Sequence, residues 1–327
     1  MAVRVGIALS SGGAAGVAHI GVIEELIRAG ISIECVAGTS AGAMVGGAFA
    51  AGQLADFRER VLRSSRQRRL ALFDPVWPRS ALLGGRRAMA LLTACAAQSI
   101  EDLPLRFAAV ATDLDSGQRV SVGTGLLGDA VRASIAIPGV FAPLCRRGRL
   151  LVDGALTDPV PVGPTRELGA TFIIASSVIG SAKTALTTRR FVHRRQSAVR
   201  RFVDRALGPL ASSPQLTGPD TVQELVDPET GGMRTDGLAD ILFKASAVVQ
   251  TTIAAVRLRD EPPDFLIAPR AYDIGLFELH RAEEAIELGR EAARAALPEL
   301  RAALEAAETQ SQLFRWWPTP ARPAVAA

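Results

Sequence analysis

The chain is poor in the residues that most often announce a function. Three cysteines in 327 residues, Cys35, Cys95 and Cys145, are too few and too scattered for a disulfide framework, and no two stand at zinc-ligand spacing. Reduced thiols in a cytoplasm are therefore the expectation. Aromatic residues make up 5% of the chain, which suggests no stacking platform for nucleic acid, and no nucleic-acid reading motif is present. No apolar run reaches the roughly 20 residues that a membrane-spanning helix needs; the stretch 35–51 is broken by Gly, Ser and Thr. The start of the chain carries only Arg4 ahead of an apolar run. No small-residue cleavage site follows a long apolar core, so no signal peptide is expected. Histidine is as scarce as cysteine, with only His19, His193 and His280.

What is present is enough for a large core: 48% of the residues are hydrophobic and 21% charged, and the length permits one big domain or two ordinary ones. A net charge of +4 is mild for the whole chain and demands no polyanionic partner. Buried-strand patterns at 3–9, 33–37, 106–112, 171–177 and 264–268 alternate with helical spacing at 16–29, 42–51, 126–135 and 238–258, and a hairpin is expected around Arg147 and Gly148. This alternation predicts an α/β sandwich around a largely parallel sheet.

Gly38-Thr39-Ser40-Ala41-Gly42 falls directly after a predicted strand and before a predicted helix. A serine on such a turn is forced outward, its glycine neighbours let the backbone turn without Cβ clashes, and the helix N-terminus favours negative charge nearby. A structural turn is the bland alternative. Ser11-Gly12-Gly13-Ala14-Ala15-Gly16 follows the first strand and opens a helix, where backbone N–H groups can face an anion. It lacks the G-x-G-x-x-G pattern of a dinucleotide site. A base for Ser40 is harder to find. His280 suits the Ser, acid, His order of an α/β-hydrolase triad but stands in a sequence that reads as an exposed helix start. His19 reads as a packed or hydrogen-bonded helix residue. Asp153 closes the apolar run Leu150-Leu151-Val152 and precedes Gly154. It reads equally as a turn-forming Asp-Gly or as a base whose pKa the apolar flank raises.

Taken in order, Ser11 to Gly16 with Ala18-His19-Ile20-Gly21-Val22, the Ser40 turn, Ala133-Ser134-Ile135-Ala136-Ile137-Pro138-Gly139 and Asp153-Gly154-Ala155 resemble the bacterial patatin-like phospholipases. The resemblance covers about 4–177 strongly and extends more weakly through 265–297. It implies a three-layer α/β/α fold and a Ser/Asp dyad that hydrolyses acyl esters of lipids without histidine. Ser40 maps to the nucleophile, Gly38 and Gly42 to its elbow, and Asp153 to the base. Gly12, Gly13 and Ala14 are candidates for the oxyanion hole, and no metal or organic cofactor is implied. The loop departs from the family's usual form, three glycines, any residue, a basic residue and a glycine, by having Ser11 first and Ala15 at the basic position.

The expected organisation is an acyl hydrolase domain over 1–309, with 53–98 as a helical cap or insertion and 208–237 as a long loop, followed by a Pro-rich, poorly ordered tail over 310–327. Two other readings stand beside hydrolysis by the dyad: a Ser-His-Asp esterase using His280, and a catalytically weak patatin-fold protein that binds lipids or partners for regulation. The stretch 189–207 opens on Arg189, closes on Leu207, and holds seven arginines and one acid with apolar pairs at helical spacing. Such a helix can lie on an anionic membrane surface or pack its apolar side on the core. Changing Arg194, Arg195, Arg200 and Arg201 to Gln is expected to weaken sedimentation with anionic vesicles; unchanged binding would rule out the membrane face.

Overall fold

The structure, a computed structural model, describes residues 3–66, 81–92, 95–180 and 238–316. β1 (Val5–Leu9) and β2 (Cys35–Thr39) are buried at every position, as strands covered on both faces must be. Between them a 3-10 turn, Gly13–Val17, leads into α1 (Ala18–Arg28). α2 (Ala41–Ala50) is separated from the end of β2 by the single residue Ser40 and is followed by α3 (Leu54–Arg66), β3 (Ala81–Leu83) and a single turn, α4 (Arg86–Met89). Next come β4 (Arg106–Asp113), β5 (Arg119–Val122), α5 (Leu127–Ser134), β6 (Gly139–Phe141), β7 (Leu144–Arg146), β8 (Arg149–Asp153), α6 (Val162–Glu167) and β9 (Phe172–Ser176). The described chain closes with α7 (Leu238–Asp260), β10 (Phe265–Ile267) and α8 (Ala282–Trp316).

The main sheet has the order β10-β9-β1-β2-β4-β8-β7, with β5 also on β4. The run from β10 to β4 is parallel, whereas β5 and β8 join β4 antiparallel. β3 and β6 form a separate parallel pair. Alternate residues of the central strands point to opposite faces. Ile7, Leu9, Val36 and Ile174 enter a core shared with α1, α2, α5 and α8, while Ala8, Cys35, Ile173 and Ala175 meet α6 and Ala254 of α7. Helices thus cover both faces of the largely parallel sheet that the sequence pattern predicts, giving the three-layer α/β/α fold that the resemblance implies. The glycine-rich loop and the Ser40 turn both lie at the carboxyl ends of parallel strands, where open α/β sheets place their ligand crevices.

The basic stretch 189–207 and the expected loop 208–237 lie outside the described residues, as do 67–80, 93 and 94 of the expected cap. The sequence predicts a tail from Gln310, whereas α8 continues through Trp316; residues 317–327 lie outside the described residues. The helical signal in 310–316 is masked in the sequence by the prolines that follow.

α8 crosses α1 on small residues. A Cβ on Gly21 would strike the Ile286 carbonyl, and one on Gly289 would strike the Ala18 carbonyl. Ion pairs Glu24–Arg290 at 2.7 Å and Glu25–Arg294 at 2.8 Å flank the crossing. Gly289→Val is expected to force the helices apart and lower the unfolding free energy by about 2 kcal/mol or more in urea melts. An unchanged midpoint would contradict this packing.

Candidate active site

Ser40 lies between the last residue of β2 and the first of α2 with φ 55° and ψ −118°. Backbone of this kind costs a non-glycine residue on the order of 1–3 kcal/mol and persists only where the surroundings enforce it. Two close approaches do so. A Cβ on Gly38 would strike the Gly42 carbonyl, and one on Gly42 would strike the Leu9 carbonyl, so both positions must be glycine for β2 to turn this sharply into α2. The Ser40 N–H donates to the Ser134 hydroxyl at 2.8 Å, which in turn donates to the Val110 carbonyl at 2.5 Å. Ser134 was part of the family resemblance, but the sequence did not reveal that it anchors the turn.

β4 brings the acid to the serine. Thr39 pairs with Val110 on one side of β4, and Asp153 pairs with Ala111 on the other. The Ser40 Oγ donates to Asp153 Oδ2 at 2.7 Å, and the Ala155 N–H donates to Oδ1 at 2.8 Å. Ser40 is 6% exposed and Asp153 3%. Burial raises the Asp153 carboxyl to about 6, against the opposing pull of the Ala155 N–H and the Ser40 hydroxyl. The distance lies within the reach of a general base, and a pKa near the working pH is what such a base requires.

No histidine takes this place among the described residues. His280 is exposed in the short turn Leu279–Arg281 and makes no hydrogen bond to Ser40 or Asp153. His19 is fully buried and bonded to Ser10 and Ser176; His193 lies outside the described residues. No group of three or more His, Cys, Asp or Glu side chains able to hold a metal ion is gathered among the described residues.

Ser40 opens onto a cavity of ≈ 640 Å³, its mouth included, whose walls come from Gly13, Ala14 and Val17, from Met44 and Val45 of α2, from Phe57 and Val61 of α3, and from Ile137, Phe141, Leu276 and Phe277. None of its lining residues is charged. Of the expected oxyanion donors, Gly13 faces this cavity, but the Ala14 N–H is occupied: it donates to the Leu276 carbonyl at 3.0 Å. That removes Ala14 from the donor set. Ala41, which the sequence reading did not include, lines the cavity at the first position of α2, where a helix N–H has no intrahelical partner. The segment bearing Leu276 and Phe277 is held by Arg281, which pairs with Asp273 at 2.8 Å and Glu284 at 2.6 Å.

Comparison with known proteins places the chain in a family. The patatin-like phospholipase family model matches residues 7–166. An uncharacterized NTE family protein of Mycobacterium tuberculosis is 35% identical over 328 residues, covering 90% of this chain and 91% of that protein. The chain belongs to the patatin-like phospholipase family. A second NTE family protein of Mycobacterium tuberculosis is 31% identical over 299 residues, covering 89% of this chain but 46% of its own length. Lysophospholipase NTE1 of Coccidioides immitis is 33% identical over 183 residues, 53% of this chain and 11% of that one. Membership in the patatin-like phospholipases supports lipid hydrolysis. The two departures of this chain from the family loop have structural places: Ser11 donates through its hydroxyl to Gln250 of α7 at 3.1 Å, and Ala15 is buried in the core. No helix among the described residues is long and apolar enough to cross a membrane.

The raised Asp153 pKa has a measurable consequence. Burial disfavours the anion, so the unfolded chain gives up this proton at lower pH than the folded one. Stability contributed by the neutral carboxyl is therefore full below the ordinary carboxylate range and is lost as pH rises through about 6. Asp153→Asn is expected to be more stable than wild type at pH 8 by about 1–3 kcal/mol and equal to it at pH 3. Urea melts at both values test this, and a wild type that is the more stable at pH 8 would contradict it.

Proposed function

We propose that this chain hydrolyses carboxylic esters of lipids, of phospholipase A or lysophospholipase type, with Ser40 as nucleophile and Asp153 as base. The supporting observation is the 2.7 Å bond from the Ser40 Oγ to a buried carboxylate at the head of an apolar cavity. The acyl chain lies along the hydrocarbon walls and its carbonyl carbon meets Oγ. Asp153 takes the hydroxyl proton as Oγ attacks, and the N–H groups of Gly12, Gly13 and Ala41 receive the developing oxyanion. Collapse of the tetrahedral intermediate expels the alcohol, which leaves with the proton held by Asp153. Water then attacks the acyl-enzyme, Asp153 again accepting a proton, and collapse of the second tetrahedral intermediate returns that proton to Ser40 Oγ as the fatty acid departs. Position Ala15 brings no charge toward the site, so a phosphate head group draws no attraction from it.

Labelling by a fluorescent alkyl phosphonate, with fatty-acid release from phospholipid and lysophospholipid followed in parallel, tests this reading. Ser40→Ala is expected to abolish labelling and, like Asp153→Asn, to lower lipolysis by on the order of 10³-fold or more. Turnover by Asp153→Asn close to wild type would refute the dyad. Comparable loss in His280→Ala would support the triad instead. A folded wild type that neither labels nor turns over would favour a regulatory, lipid-binding protein.

A further inference from the structure

His19 is the one described histidine that is buried, at 0% exposure, and the chemistry above leaves it unused. It stands in the first turn of α1, immediately behind the glycine-rich loop. A ring sealed from water must find partners for both nitrogens. Nε2 lies 2.9 Å from the Ser10 carbonyl oxygen, which only accepts, so Nε2 carries the proton. Nδ1 is then an acceptor and takes the Ser176 hydroxyl at 2.8 Å. The partners fix one neutral tautomer, and burial, against the pull of the Ser10 carbonyl, lowers the ring's pKa to about 4.

Ser10 joins β1 to the loop that carries the oxyanion donors. Its N–H donates to the Ser176 carbonyl at 3.0 Å. Its hydroxyl donates to the Ser11 carbonyl at 2.8 Å and accepts from the Val178 N–H at 3.1 Å. The carbonyl that His19 holds also faces α2, because a Cβ on Gly42 would lie 2.6 Å from it. One oxygen therefore touches the first turn of the helix behind Ser40, and its peptide begins the loop bearing Gly12 and Gly13. We propose that His19 is a positioning residue for ester hydrolysis: its Nε2–H fixes the Ser10 carbonyl and thereby aims the Gly12 and Gly13 N–H groups at the ester oxygen held over Ser40. The proposal rests on the hydrolase reading above.

Oxyanion donors act only when aimed at the position the oxygen reaches in the transition state, and a displacement of about 1 Å can cost about 10²-fold in rate. The acyl chain is bound elsewhere, by the cavity walls, so loss of aim falls on kcat and leaves KM near its wild-type value. Substitutions separate this role from simple packing. A glutamine amide nitrogen can stand where Nε2 stands and donate to Ser10; an asparagine amide reaches only the Nδ1 position, and methionine fills the space with no donor. His19→Gln is expected to keep kcat within about 5-fold of wild type, whereas His19→Asn and His19→Met lose roughly 10²-fold with KM little changed. Thermal melts of each variant show whether activity merely follows stability.

All three variants within 5-fold of wild type, or His19→Gln falling as far as the other two, would overturn the positioning role alone. A wild type that turns over no ester overturns the hydrolase reading and this proposal together, so the two failures are distinct. Nitrogen-15 NMR of the wild-type ring at pH 7 provides a second measurement that does not depend on variants folding. A neutral Nε2-protonated ring is expected, and an imidazolium or the Nδ1-protonated form would overturn the assignment.

Discussion

The arrangement depends on one hydrogen bond, from the Ser40 hydroxyl to a carboxylate that burial has driven up to about 6. Each partner is unfavourable by itself. Ser40 holds a left-handed φ that L-residues avoid, and Asp153 is an acid removed from water. β4 makes the pair possible. Its Val110 and Ala111 pair with the residues at the ends of β2 and β8, so the parallel and antiparallel halves of the sheet deliver their termini to the same point. The neighbouring glycines and Ser134 then hold the turn in the one conformation that points Oγ at Oδ2. Stability given up in this way at a site is a common consequence of preparing it for chemistry.

The cavity beyond this bond is charge-free, and its one polar side chain is that of Ser40. In the proposed reaction the hydrocarbon chain supplies the binding energy and the carbonyl supplies the register. This separates affinity, which belongs to α2, α3 and the segment around Leu276, from the rate, which belongs to the loop, the Ser40 turn and Asp153. Ser11 extends the second group outward. Through Gln250 it ties the loop to α7, a contact that a glycine in that position would not make.

Much of this was legible in the sequence because local chemistry carried it. The Gly38 to Gly42 turn, the strand ending at Asp153 and the strands 106–112 and 171–177 all declare themselves by glycine placement or by apolar runs. What was not legible depended on long-range pairing. β5 has mixed exposure and no apolar run, and the pairing that seats Asp153 opposite Ala111 joins residues about forty positions apart, so it has no local signature. The same holds for Ala14, whose N–H is taken by a carbonyl more than 250 residues later in the chain. It holds too for Ser134, whose small polar side chain within a short helix gave no sign that it anchors Ser40. Ala41 was within reach, since the residue after a nucleophile on a strand-to-helix turn begins the helix and has a free N–H.

Whether Asp153 is the base for Ser40 is read from the pH dependence of phosphonate labelling, because labelling reports the nucleophile's activation without later steps. With Asp153 as the base, the labelling rate rises tenfold per pH unit at acid pH and levels off above a single ionisation near 6, with that ionisation lost in Asp153→Asn and retained in His280→Ala. A labelling rate indifferent to pH between 5 and 8, or an ionisation that disappears with His280 instead, would contradict it.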